Sequence, residues 1–384
     1  MQKVNILYLV TKLELGGAQI QLLNIIRRLD KERYRPFLFT AKEGFLIREA
    51  SSIDRLTLAK SGYLDRPINL WKDILALAEI RRFIKKNNIS IVHTHSSKAG
   101  ILGRLAARLA GINYIIHTVH GWSFNDYQLS LIRSLYIILE RIAARFTKKI
   151  IVVSYADMRK GLNAGIGRKD QYIKIDYGTD YTKSSKSGAD IKQGLGIGAQ
   201  DLVVTNISCF KPQKAPLDFI RLASLLSRDF PQLKFVMVGD GALRPDIEDR
   251  IKRLHLEDRI ILTGWRRDIP DILEITDILA LTSLWEGVPI AVLEAMAASR
   301  AVVATSTGGI EEIIDNGHTG FLISAGDMPQ MKEKVSLLLS QDEARRSMGR
   351  KARDFIRGNF TVENMAWRNH RIYEDFIGSR PRHN

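Results

Sequence analysis

A chain of 384 residues is too long for one ordinary domain and about right for two. Its composition, 45% apolar and 26% charged, supports two hydrophobic cores, and the single cysteine, Cys209, excludes an intramolecular disulfide. The net charge of +16 is uneven: residues 1–180 hold 30 Lys and Arg against 15 Asp and Glu, the remainder 28 against 27. An anionic partner is therefore expected in the first half. RNP, zinc-finger and basic-zipper patterns are missing, so no nucleic acid is expected. Scattered solvated lysines, an anionic membrane surface and an anionic lipid-linked substrate all stay open.

The N-terminal apolar run contains Asn5 and ends in a glycine turn, so it reads as a first strand, at 4–10, rather than a signal peptide. No stretch approaches about 18 uncharged apolar residues, so a membrane-spanning helix is not expected. The protein is expected in the cytoplasm. A helix at 18–29 follows, with Ile20, Leu22, Leu23, Ile25, Ile26 and Leu29 at helical spacing. Further strands are expected at 35–40, 89–93 and 114–118, with a helix at 100–109. Arg81, Arg82, Lys85 and Lys86 form a basic cluster on a helix, solvated or facing lipid headgroups.

Residues 129–149 form an amphipathic segment ending in Arg141, Arg145, Lys148 and Lys149. A sheet-packing helix would carry bases there because its dipole favours them. A membrane-facing helix would need its apolar side exposed. Residues 180–201, rich in Ser, Gly and Lys, are the linker candidate. Strand and helix then alternate again: strands at 202–208, 233–238, 259–262, 278–281 and 301–304, helices at 217–227 and 245–254. Two doubly wound α/β domains with parallel sheets, joined near residue 190, are the expected architecture.

In open α/β sheets, ligands bind beyond the carboxyl ends of the strands. Glycines mark several of these turns: Gly16-Gly17 after the first strand, Gly239 and Gly241 around Asp240, and Gly308-Gly309. Such turns let backbone N–H groups approach an anion at a helix N-terminus. The stretch SLWEGVPIAVLEAMA places Glu286 and Gly287 in a turn over 283–287, Pro289 in the first turn of the next helix with free N–H groups near Val288, and Glu294 inside that helix. Glu294 would lie roughly 7–8 Å along the helix axis from Pro289. The two carboxylates therefore suit two parts of one extended ligand rather than one atom. Lys211 and Lys214 follow another strand, where compact cations suit a diphosphate. His93, His95, His117 and His120 stand near two strand ends. Local hydrogen bonding fits them better than a metal, and His120, in its turn with Gly121, is the one placed to face a reacting group. The chain has no Asp-x-Asp, the usual carboxylate pair for a divalent cation on a nucleotide diphosphate.

Together these residues resemble the family 4 glycosyltransferases. The motifs are Gly16-Gly17-Ala18, His120-Gly121, YGTD at 177–180, Lys214, VGDG at 238–241 and the E-x7-E element from Glu286 to Glu294. The resemblance implies the GT-B fold, two Rossmann-like domains facing a central cleft. It implies an acceptor-binding domain over 1–185, a donor-binding domain over 186–358 and a crossing helix over 359–384. It further implies retaining, metal-independent sugar transfer from a nucleotide-sugar, UDP by family frequency, to a glycan or lipid-linked acceptor, with no cofactor. Such an enzyme of cell-surface polysaccharide synthesis would contact the inner face of the plasma membrane peripherally through its basic N-terminal domain.

By the same resemblance, Glu294 would bind the ribose hydroxyls and Glu286 those of the transferred sugar. Lys214 would hold the diphosphate, aided by N–H groups of Gly287, Val288 and beyond. Gly16 and Gly17 would close over the phosphates, and His120 would contact the sugar. The sequence departs from the family at Cys209, where an arginine is usual; Lys211 is the candidate substitute. A sugar-nucleotide epimerase, a glycoside hydrolase and a non-catalytic membrane scaffold are the alternatives.

Overall fold

The structure, a computed structural model, describes residues 3–125, 127–180, 184 and 186–378. The chain divides into two units: residues 1–178 with 362–384, and residues 179–361. In unit 1, strands β1 (Val4–Leu9), β2 (Tyr34–Ala41), β3 (Thr57–Ser61), β4 (Ile91–His95), β5 (Tyr114–Val119), β6 (Lys149–Val152) and β7 (Tyr172–Lys174) are joined by helices. These are α1 (Gly17–Arg27), α2 (Ile47–Ser51), α3 (Leu70–Lys86), α4 (Ser97–Leu109), α5 (Ser130–Ala144) and α6 (Tyr155–Asn163).

The strands pair in parallel in the order β3-β2-β1-β4-β5-β6-β7. Parallel neighbours require crossovers, and the crossing helices cover both faces of the sheet. Covered strands read as nearly unbroken apolar runs, which is why YIIHTV of β5 is buried throughout.

Unit 2 opens with α7 (Gly188–Gly194) and continues β8 (Val203–Ile207), α8 (Pro216–Leu226), β9 (Lys234–Val238), α9 (Arg244–Arg253), β10 (Ile260–Gly264) and α10 (Ile269–Ile275). It closes with β11 (Ile278–Leu281), α11 (Ile290–Ala297), β12 (Ala301–Thr305), β13 (Phe321–Ile323), α12 (Met328–Ser340) and α13 (Asp342–Asn359). Its sheet is also parallel, ordered β10-β9-β8-β11-β12-β13. The two doubly wound sheets expected from the sequence are both present.

The expected boundary after residue 185 is corrected to Gly178/Thr179. Thr179 N already donates to Phe360 O at 2.9 Å, inside unit 2. The expected linker is also shorter than its composition suggested. Residues 181–183 and 185 lie outside the described residues, but Ser187 caps α7 by accepting from Asp190 N at 3.1 Å. Ile191 and Ile197 are then buried with Ile272 and Ile275 of α10. Two isoleucines outweigh the Ser, Gly and Lys around them.

The final helix, α14 (Val362–Gly378), belongs to unit 1. It starts after the expected position of 359, and residues 379–384 lie outside the described residues. Buried Tyr373 shares a 2.7 Å hydrogen bond with His93 Nδ1, and Tyr114 Oη donates to Ile372 O at 2.8 Å. Arg368 Nη2 donates to Lys174 O at 2.9 Å.

One buried ion pair links the helices over the sheet. Arg104 of α4 donates to Glu140 of α5 at 2.6 Å and to Gly100 O at 2.8 Å, with both side chains almost wholly enclosed. Removing one partner of such a pair leaves an uncompensated buried charge, at a cost of about 3–5 kcal/mol. Glu140→Ala should therefore show that loss in urea unfolding. A change below about 1 kcal/mol would place the pair with ordinary surface contacts.

Candidate functional site

Each sheet reverses its winding once, between β1 and β4 in unit 1 and between β8 and β11 in unit 2. At such a switch point the loops beyond the carboxyl ends diverge and leave a crevice. In unit 2 the walls are residues 208–215, after β8, and 282–289, after β11. Backbone and side chain stitch them together. Thr282 Oγ1 donates to Lys214 O at 3.1 Å and Ala215 O at 3.0 Å. Leu284 N donates to Gln213 O at 2.8 Å, and Gln213 Nε2 donates to Trp285 O at 2.9 Å.

On this frame the Lys214 ammonium is ion-paired to Glu286 Oε1. Ser283 Oγ donates to the same oxygen at 2.6 Å, and the Glu286 side chain is only 5% exposed. Ser283 was not singled out in the sequence; the turn over 283–287 brings its hydroxyl to the carboxylate three residues on. The loop after β12 supports this turn from behind. Thr305 Oγ1 donates to Ser283 O at 2.5 Å and Gly309 N to Gly287 O at 2.7 Å. Gly308 has φ +59, and a Cβ there would lie 2.0 Å from Glu286 O.

Gly239 and Gly241 are needed first for packing: a Cβ on either would lie 2.0 Å from Ser208 O or 2.5 Å from Phe210 O. They hold the β9 turn against the wall that carries Lys211 and Lys214. Cys209 is partly exposed in that wall. Lys211 is half-buried, and its ammonium has no partner among the described residues.

Pro289 is the N-cap of α11, one residue ahead of its expected place in the first helical turn. No side chain caps this helix, so its first N–H groups stay open beside Gly287 and Val288. Glu294 lies half-buried in α11, and the protein packed around it pushes its pKa up to about 7. Among the described residues its carboxyl has no hydrogen-bond partner. A half-buried carboxyl whose oxygens are reachable and unpartnered is fit to take hydroxyl groups.

In unit 1, Gly16 is the extended N-cap of α1 and Gly17 its first residue, again with no side-chain cap. Thr11 Oγ1 and Ser96 Oγ lie 2.8 Å apart, bridging the ends of β1 and β4. Beyond β5, His120 pairs through Nε2 with His95 Nδ1 at 2.9 Å and through Nδ1 with Tyr177 Oη. Burial pushes its pKa down to about 3, so the ring works as a neutral hydrogen-bonding group. Both its ring nitrogens are engaged within unit 1.

The other histidines bond locally as well: His93 with Tyr373 and Thr118, His117 with Thr94. Among the described residues, no group of three or more His, Cys, Asp or Glu is placed to hold a metal ion.

Two family models match this chain: "Glycosyl transferases group 1" over residues 188–355 and "Glycosyltransferase Family 4" over residues 15–170. An Escherichia coli UDP-Gal:alpha-D-GlcNAc-diphosphoundecaprenol alpha-1,3-galactosyltransferase is 33% identical over 326 residues, 82% of either chain. The E. coli O-antigen biosynthesis glycosyltransferase WbnH is 27% identical, covering 94% of this chain and 97% of its own. Among solved structures, Anabaena HepE in complex with UDP and glucose superposes with a TM-score of 0.84 at 22% identity, over 98% of this chain and 99% of that one. That likeness speaks to the fold.

Proposed function

The chain belongs to the family 4 glycosyltransferases, and from that premise we propose that it transfers a hexose from a UDP-sugar, with retention and without a metal, to a polyprenyl-diphosphate-linked sugar. The observation that carries the reading is the unit 2 crevice, which holds the Lys214–Glu286 pair and the partnerless Glu294 at one switch point. Unit 2 would bind the donor and unit 1 the acceptor. The donor class and the lipid-linked acceptor are supported by the name of the 33%-identical E. coli relative. An alpha product is what retention delivers from an α-linked nucleotide-sugar.

In this reading Glu294 accepts from the ribose hydroxyls and Glu286 from those of the hexose. Lys214, Lys211 and the open N–H groups of α11 hold the diphosphate. The acceptor oxygen bonds to the anomeric carbon on the face from which UDP departs. The C–O bond to phosphate breaks, its electron pair stays on UDP, and a phosphate oxygen takes the acceptor's proton. The protein orients the partners and stabilises the leaving charge. Gly16, Gly17 and His120 of unit 1 are carried over as donor contacts. For His120 this requires that the neutral ring release Tyr177 or His95.

Peripheral contact with an anionic membrane, at the inner face where nucleotide-sugars are made, is part of the same proposal. Among the described residues no helix is long and apolar enough to cross a membrane.

Incubation with UDP-hexoses and a lipid-diphosphate-linked amino sugar in EDTA, with NMR of the product, tests the reading. An α-linked disaccharide with stoichiometric UDP supports it. UDP-dependent isomerisation of the sugar without an acceptor would replace it with an epimerase.

Binding should depend on pH through Glu294. Its folded pKa, about 7, lies above the ordinary carboxylate value, so the proton must leave before the carboxylate can accept ribose hydroxyls. UDP affinity should therefore rise as pH increases toward 7 and fall about tenfold per unit below it. Glu294→Gln should flatten the profile while weakening binding, read by calorimetry. A profile unchanged in that variant would remove Glu294 from the nucleotide site. Without ligand the linkage runs oppositely for folding: this group's contribution to stability falls as pH rises from the ordinary carboxylate value to about 7.

A further inference from the structure

We propose that the outer face of the α3–α4–α5 layer in unit 1 docks onto an anionic phospholipid bilayer, with the apolar side chains of α3 and α5 entering the interface. This deepens the reading above and rests on its lipid-linked acceptor for the purpose of the contact.

The first observation is where α5 hides its side chains. Its only buried residues are Glu140, Ala143 and Ala144, near its C-terminal end. Leu131, Leu135, Ile138 and Ile142 recur at i, i+4, i+7 and i+11, one stripe along the helix. This stripe is exposed along its whole length, with Leu131 at 81%. A helix laid on a sheet to close a core turns such a stripe inward; here the stripe faces out, and alanines and a paired glutamate make the internal contact.

The second observation is that α3 does the same. Leu70, Trp71, Ile74 and Leu75 of its first turns are exposed, Trp71 at 80%, whereas Ala76, Ile80 and Ile84 are buried. Helix α4 lies between α3 and α5, and Leu105 and Leu109 on its outer side are exposed too. Lys98 at the start of α4 pairs with Asp73 of α3 at 2.5 Å, which fixes the two helix starts side by side. Three neighbouring helices thus present large apolar side chains outward from one layer, well beyond the scattered exposure of an ordinary surface.

Charge decides the occupant. Residues 66–149, which span all three helices, carry 14 Lys and Arg against four Asp and Glu. Arg82, Lys85 and Lys86 at the end of α3 have no carboxylate partner among the described residues, and neither do Arg108, Arg145 and Lys148. The last three line an open cleft of about 430 Å³ at the C-terminal ends of α4 and α5, along with Lys149 and the Arg168–Asp170 pair. Unpaired cations at the C-terminal ends of three helices, with leucines, isoleucines and a tryptophan turned outward along them, match a surface that is anionic at headgroup depth and apolar below. A protein partner or a second copy would need carboxylates for these bases; a leaflet of acidic phospholipid supplies phosphates everywhere.

Co-sedimentation of the full chain with phosphatidylcholine vesicles, with and without phosphatidylglycerol, is the test. Binding should be at least about tenfold tighter with phosphatidylglycerol, each engaged cation contributing about fivefold. It should weaken with salt. A Leu131→Ser/Leu135→Ser/Ile138→Ser variant should lose vesicle binding, and Lys85→Glu/Lys86→Glu should lose the preference for acidic lipid. Brominated acyl chains should quench the fluorescence contributed by Trp71, measured as the difference from Trp71→Phe.

The serine variant should keep its transfer rate to a detergent-dissolved acceptor, because none of its three positions lies in the site. The proposal is overturned if the wild type ignores acidic vesicles, or if the serine variant binds them undiminished. It is also overturned if the face holds a dimer that the serine variant dissociates with no change in lipid binding. Failure of transfer by the wild type would sink the functional reading instead, and the vesicle result would still decide this surface.

Discussion

Lys214→Ala should lower kcat by about 100- to 1,000-fold, the usual consequence of removing one preorganised donor from a developing negative charge. The magnitude follows from what the ammonium touches. It is already bonded to Glu286, which it shares with Ser283. A lysine has three N–H donors, so it can keep that contact and still reach the departing diphosphate. It would then stabilise the leaving group and fix the carboxylate that holds the sugar, so both would be lost together. Glu286→Ala should therefore cost nearly as much as Lys214→Ala, and the double variant little more than either, because the two act as one unit. Steady-state kinetics of the four forms would show it. Fully additive losses would mean that the ion pair has no part in turnover.

Gly308→Ala should strike the Glu286 turn directly. The residue sits at φ +59, where a side chain is strained, and its Cβ would lie 2.0 Å from Glu286 O, a backbone atom. The strain alone costs on the order of 1 kcal/mol. The clash cannot be relieved by rotating a side chain, so the 283–287 turn must shift. A misplacement of about 1 Å can cost about 100-fold in rate. The expected outcome is a folded protein with a modestly lower unfolding midpoint and kcat down about 100-fold, with UDP affinity changed far less because Glu294 lies on α11. Full activity in this variant would show that the turn moves without consequence for Glu286.

Much of the architecture was readable because buried parallel strands and crossover helices write different periods into the chain. Residues 278–281 matched β11 residue for residue, and β1, β2, β5, β8, β9 and β12 fell within one residue of expectation at each end. The edge strands of unit 1, β3 and β7, escaped. TLAKS of β3 and YIK of β7 are short and half-exposed, so they carry no apolar run. Strand β6 was hidden because Lys149–Val152 follows the basic end of α5 with only four residues between them. The site was legible as a set of residues at strand ends, and not as contacts. Lys214 and Glu286 are separated by 72 positions, and only the adjacency of β8 and β11 brings them together. The engagement of both His120 nitrogens depends on His95 and Tyr177, which arrive from a neighbouring strand and from the end of the first segment of unit 1. Periodicity carries no information about either.

Because α14 completes unit 1 while residues 179–361 form unit 2, the ribosome makes the whole second unit before it makes the last piece of the first. Until then Tyr8, Tyr34 and His93 lack the Tyr373 ring that packs against them. Unit 2 is the first that can finish folding, and the unit with the outward apolar helices is the last. The nascent chain therefore passes through a stage in which an incomplete basic unit is tethered to a finished one, and that is the stage at which chaperones would engage it.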